Sequence, residues 1–209
     1  IGVPSGLQNA IFAVANLFVQ AGLNSFDEIT VSGAAAAANA DTLVFNMMAA
    51  FYTACASFVS RNWGAGKNDR ILKSYFISML YAAIVGAVAG GLLLVFGREF
   101  LSLFADKPEV IDAGVDRLRI MAFSYFIGPL MDASIAGSRG LGRSVAPTVM
   151  VILGSCVFRV VWIYTVFAYF HTITSLYLLY MFSWIITGVA EYIYFRAAYK
   201  KIILKPQTW

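Results

Sequence analysis

Four ionisable side chains stand inside otherwise apolar stretches: Asp41, Asp132, Arg159 and Glu191. A charge deep in hydrocarbon costs roughly 2.5–3.5 kcal/mol on insertion scales, so each needs a partner or a use. Asp132 closes the run Phe126-Ile127-Gly128-Pro129-Leu130-Met131-Asp132, three residues after a proline whose missing N–H frees a carbonyl about one turn back. A carboxylate beside such irregular backbone suits uptake of a proton or Na⁺, or contact with a cationic substrate. The competing reading is a structural ion pair with Arg159, which neutralises both charges and leaves no transport role. Asp41 follows the alanine run Ala34–Ala38 and precedes Phe45 and Met47. It is a candidate for a cavity wall, or for the membrane interface if its helix begins later. Glu191 lies about 10 Å of helical rise before the closing basic cluster, so it can snorkel or pair; Arg159 and Glu191 are thus candidates for ion pairing.

Asn9, Asn16, Gln20 and Asn24, at spacings of seven, four and four, share one face of a helix. Such a stripe is either interhelical bonding, worth ~0.6 kcal/mol per bond on average in membranes, or the wall of an aqueous cavity. Four amides exceed what packing needs, which favours the cavity. Enzyme signatures are missing. The one histidine, His171, rules out histidine-based metal clusters and triads, and Gly140-Leu141-Gly142 is followed by no Walker lysine. The expectation is a protein with no catalytic residues, no metal site and no cofactor, driven by a gradient of H⁺ or Na⁺ if driven at all.

The elements that must position these groups follow from where charge is absent. The chain is 60% hydrophobic and 12% charged, with a mean hydropathy of +0.76, above the roughly 45–50% apolar content of soluble domains. Charge-free runs occupy 1–26, 42–60, 74–97 and 172–190, each near or above the ~18 residues of a spanning helix. Two more stretches, about 118–138 and 144–170, reach that length with one internal charge each. Hydrocarbon offers no partners for backbone N–H and C=O groups, so the spans are helices. The reading is an all-α membrane protein: one six-helix transmembrane lobe over 1–209, with helices near 4–26, 31–60, 71–97, 112–138, 144–169 and 173–198. Cys55 and Cys156 fall within spans and read as packing residues. The opening at Ile1, with no start methionine or basic leader, leads to the expectation of a segment upstream.

Ten of the fifteen basic residues lie in the second and fourth connections and near the C-terminus: Arg61, Lys67, Arg70, Lys73, Arg139, Arg143, Arg196, Lys200, Lys201 and Lys205. The positive-inside rule makes those sides cytoplasmic, so that both ends lie inside a cytoplasmic (inner) membrane. The basic balance is a topology signal and points to no nucleic acid. Trp63, Tyr164, Tyr169, Tyr177, Tyr180 and Trp184 read for the most part as a lipid-facing aromatic belt.

Three segments resemble the multidrug and toxic compound extrusion (MATE) family of the MOP flippase superfamily: Ile1-Gly2-Val3-Pro4-Ser5-Gly6-Leu7-Gln8, the loop Arg61-Asn62-Trp63-Gly64-Ala65-Gly66-Lys67-Asn68-Asp69-Arg70, and the turn Gly137-Ser138-Arg139-Gly140-Leu141-Gly142-Arg143-Ser144 with Pro147. Met131-Asp132 and Cys156-Val157-Phe158-Arg159-Val160-Val161-Trp162 are similar to one bacterial branch. The resemblance implies twelve helices in two lobes, this chain being the C-terminal one and its partner a missing N-terminal six-helix lobe. It further implies an antiporter that exchanges H⁺ or Na⁺ for small cationic, often aromatic, drugs. Arg61 and Ser138 depart from the usual glutamine and leucine. Asn9 and Phe12 stand where some members carry a sodium-binding acid, so no sodium site of that kind carries over to this helix. Two alternatives remain: a lipid-linked precursor flippase, which wants a basic cavity, and a membrane scaffold whose charges merely neutralise one another.

Overall fold

The computed structural model describes the backbone of residues 2–204. Six long helices make up nearly all of it: α1 (Gly2–Leu23), α2 (Glu28–Gly64), α3 (Asn68–Leu101), α4 (Pro108–Gly140), α5 (Val145–Phe170) and α6 (Ile173–Leu204). All six are long and apolar enough to cross a membrane, and the fold is the all-α six-span bundle expected. Helices α2, α3 and α4 run past the expected limits at both ends, and α6 continues to Leu204. Interfacial charges end a hydrophobic window without ending the backbone hydrogen-bond ladder, which explains the difference. Helix α1 stops earlier than expected, where the Ser25 hydroxyl and the Phe26 N–H turn back onto the carbonyls of Gly22 and Leu23.

The helix ends follow local chemistry. Asp27 caps α2 by accepting from the Thr30 N–H at 2.8 Å, and the hydrogen bonds from Thr30, side chain first, hold its carboxyl below the usual range. Pro108 opens α4, where a missing N–H forfeits no bond. Both basic turns close alike. Gly66 (φ 67°) and Gly142 (φ 74°) adopt the left-handed conformation, while Lys67 N–H donates to the Asn62 carbonyl at 2.9 Å and Arg143 N–H to that of Ser138 at 3.0 Å. Two glycines of the motif segments are therefore helix stops that a side chain would strain.

Helices α2, α3 and α4 pack most extensively together, and α4 also lies along α6. Small residues set the close seams: a Cβ on Gly33 would lie 2.6 Å from the Val110 carbonyl oxygen, and one on Gly140 2.8 Å from Val59 Cβ. Such close approach supplies the van der Waals contact that holds membrane helices together. Helix α4 has 67% of its spanning window buried against 22% for α2, α3 and α5, which makes it the axis of the bundle. The outer faces carry Leu17, Leu80, Val95, Phe123, Val161 and Ile193, all exposed, as suits contact with lipid.

Pro129 does not break its helix. Helix α4 continues through it, and the Tyr125 carbonyl one turn back, expected to be free for a ligand, packs against Gly86 of α3, where a Cα–H is a weak donor. Irregular backbone lies instead in α5, whose turns widen to π geometry at Ile152–Val157 and Ile163–Phe167. Extra-wide turns of this kind occur often at functional sites. Helix α3 bends at Phe96, which has φ −109° and ψ 16°.

Candidate functional site

Five of the six helices converge on a cavity of about 610 Å³. Helix α2 supplies Asp41, Phe45, Met48 and Tyr52, and α4 supplies Arg117, Met121, Gly128 and Asp132. Phe12 and Asn16 come from α1, Arg159 from α5, and Tyr180 and Trp184 from α6. Three of the four intramembrane charges singled out above, Asp41, Asp132 and Arg159, thus share one space with Asn16. Gln20 lines a neighbouring cavity of about 170 Å³ that shares Asn16, Arg117 and Tyr180 with the first, and it donates to Asn24 at 2.8 Å along its own helix. The side chain of Asn9 lies outside the described residues.

Asp41 is fully engaged. One carboxylate oxygen pairs with Arg117 and the other accepts from the Tyr125 hydroxyl. Arg117 also donates to the Ala34 carbonyl and lies over the Tyr177 ring, 5.0 Å from its centroid. The α2–α4 wall therefore carries an internally neutral cluster, with both charged side chains about 90% shielded at 10% and 11% exposure. Arg117 and Tyr125 did not figure among the sequence candidates.

Arg159 pairs with neither carboxylate. Among the described residues the ion pairs are Asp41–Arg117, Arg98–Asp112 and Arg119–Asp116, so the proposed pairings of Arg159 with Asp132 or with Glu191 are corrected. Its guanidinium instead donates to Asn16 Oδ1 at 3.0 Å and sits between the rings of Phe12 and Tyr180, 5.1 and 4.6 Å from their centroids. Aromatic faces attract a cation without neutralising it. Its residue is only 2% exposed, and the α-helical segment Phe158–Trp162 that carries it lies between the two π stretches. Asp132 enters none of those ion pairs and opens onto the cavity. One carboxyl group and one guanidinium of the cavity wall therefore remain without an ion-pair partner.

Glu191 is not a snorkelling residue. It is fully buried, and neither of its oxygens has a hydrogen-bond partner. Tyr177, Tyr180 and Trp184, expected in a lipid-facing belt, turn inward to the core and the cavities. Their spacing of three and four places them on one face of α6, the face that packs on the bundle. Tyr164 and Tyr169 are exposed as expected.

Comparison with known proteins bears on this arrangement. The family described as MatE matches residues 4–165. A relative from Bacillus subtilis, described as "Probable multidrug resistance protein YpnP", is 26% identical over 129 residues, 61% of this chain and 29% of the relative. Among solved structures, a MOP superfamily transporter from Pyrococcus furiosus, described as having a binding pocket of reverse polarity, superposes with a TM-score of 0.88 at 16% identity, over 98% of this chain and 46% of that one. An outward-facing multidrug resistance MATE family transporter gives 0.87 at 15% identity, with the same coverage. This chain spans less than half the length of each of these relatives.

Proposed function

This chain belongs to the MatE family, and on that premise we propose that it forms one lobe of a secondary active transporter that exchanges H⁺ or Na⁺ for organic cations across a cytoplasmic membrane. The observation that carries the reading is the contrast between its two cavity aspartates. Asp41 is spent on Arg117 and Tyr125, whereas Asp132 faces the cavity outside every ion pair of the described residues. Asp132 is the carboxylate that a proton, a sodium ion or a cationic substrate can occupy in turn, and competition for it couples ion to substrate. Met48, Met121, Phe45 and Trp184 give the rest of the wall an apolar and aromatic character that suits flat hydrophobic cations.

A second six-helix lobe completes the transporter in this reading. Its support is the polar face of α1: Asn16, Gln20 and Asn24 are exposed on the lobe, where lipid would leave their amides unsatisfied and a facing lobe across an aqueous cavity would not. The flippase alternative wants free positive charge for phosphate. Arg159 offers one such charge, but Arg117 is neutralised by Asp41, so the wall favours cations.

The test is transport by the complete protein. Asp132→Asn is expected to abolish efflux of an aromatic cation such as ethidium from proteoliposomes while membrane expression is retained. Undiminished extrusion would refute the role given to Asp132. Arg159→Gln, assayed in parallel for drug efflux and for translocation of a lipid-linked precursor, separates exporter from flippase.

A further inference from the structure

Beyond the cavity, toward the basic end of the bundle, lies a second cluster of buried polar groups. Glu191 of α6 is 0% exposed and both its carboxylate oxygens lack partners. Around it α6 packs along the end of α4, with Gly188 against Met131 and Gly137 against Phe195, and the last turn of α4 carries Arg139. Arg139 is itself spent elsewhere: one terminal nitrogen donates to the Tyr52 hydroxyl of α2 at 2.7 Å and the other to Gln8 Oε1 of α1 at 2.7 Å, while its Nε–H has no partner. This one guanidinium ties three helices together through two neutral acceptors, while the carboxyl group on the neighbouring α6 stays unengaged. Tyr52 also lines the cavity together with Asp132, so the cluster adjoins the cavity.

An ionised carboxylate without partners in a packed helix interior is too costly to persist, so the group is carried as the neutral acid. Were it ionised, a charge-assisted bond from Arg139, roughly twice as strong as one to a neutral acceptor, would draw the guanidinium away from Gln8 and Tyr52. The other titratable groups of the surrounding helices are Tyr52 and Cys55 on α2, Tyr75 on α3, and Tyr192, Arg196 and Tyr199 on α6; α1 presents the amide of Gln8, and α5 the hydroxyl of Thr148, 3.4 Å from Gln8. Arg196 is the other cation at this end of the bundle, one turn and more beyond Glu191 on the same helix.

We propose that Glu191 is a second proton-binding site of the lobe, and that its proton governs the Arg139 tie joining α1 and α2 to α4. With the proton bound, Arg139 holds Gln8 and Tyr52; with the proton released to water at the basic end, Arg139 turns to Glu191 and α1 is freed from α4. The link to transport rests on the exporter reading above, whereas the proton site itself does not.

The test uses the complete transporter in phosphatidylcholine nanodiscs, read by infrared difference spectra between acidic and alkaline buffer and by spin-label distances between α1 and α4. Wild type should lose a protonated-carboxyl C=O component on alkalinisation and change its label distance. Glu191→Gln should remove that component and hold the distance at its acid value, and Glu191→Asp should shift the component while keeping the pH response. A spectrum unchanged by Glu191→Gln, or a label distance still pH-dependent in that variant, overturns the proposal. If Glu191→Gln fails to fold, an unshifted component in Glu191→Asp overturns it instead. Asp132→Asn separates the two readings: the Glu191 component should survive in it even where transport is lost, and transport that survives there sinks the exporter reading alone.

Discussion

The two acidic side chains of the cavity differ in what surrounds them. On the α2–α4 wall, Asp41 is answered by Arg117 and Tyr125, and Arg117 in turn by the Ala34 carbonyl and the face of Tyr177. Farther along α4, Asp132 lines the same cavity, as does Arg159 of α5, yet each leaves the other unpaired. Charges that satisfy one another hold helices in place. Charges that do not are available to something that enters. The scaffold hypothesis expects all buried charges to cancel, which describes Asp41 and Arg117 but not Asp132 and Arg159.

That contrast is easiest to break by making one change at both positions. Asp41→Asn removes one partner of a buried pair and strands Arg117, so it should cost about 3–5 kcal/mol of stability, read as a large fall in the unfolding midpoint in detergent. Asp132→Asn removes a charge with no partner to strand and should leave the midpoint unchanged or slightly raised while transport is lost. Equal destabilisation by the two variants would erase the distinction between the two carboxyl groups. Next in size, Gly86→Ala drives a Cβ into the Tyr125 backbone carbonyl, which cannot swing aside. A cost of about 1–3 kcal/mol is expected, read in the same unfolding midpoint in detergent. Smallest is Ser155→Ala, which removes the 3.0 Å hydroxyl contact between α5 and Thr187 of α6. Its loss should be near ~0.6 kcal/mol, the usual size of such bonds between membrane helices, and a much larger value would mean that the π-turn side is as tightly fastened as the α2–α4 wall.

The spans were legible because a stretch of some twenty uncharged residues has few other uses. Their ends were not, since Arg61, Lys200 and Lys201 sit comfortably within helix once water is near. The cavity was legible in part: Asp41, Asp132, Arg159 and Asn16 do share it. Arg117 was overlooked because it stands at the edge of an apolar window beside Arg119, where a charge reads as interfacial. The signal was nevertheless present. Residues 117, 121, 125, 128 and 132 follow one another at spacings of four, four, three and four, the same stripe logic that singled out Asn16 and Gln20 on α1. The expectation for Pro129 failed for a different reason. Which small residue meets a released carbonyl depends on the packing of α3 on α4, and nothing near Pro129 in the chain encodes Gly86. Glu191 was misjudged because α6 extends to Leu204, which leaves its carboxyl deep within the packed interior rather than near a headgroup.

The paired wide stretches of α5 have a mechanical consequence. Each stores surplus chain within an otherwise regular rod, and Arg159 rides on the short segment between them. Passing a single surplus residue from one side of that segment to the other would spin it by about 100° around the rod axis, the angle one residue subtends in an α-helix. The ends of α5 could then stay anchored in their turns while the guanidinium is re-aimed, much as a bearing lets a shaft turn inside a fixed mount.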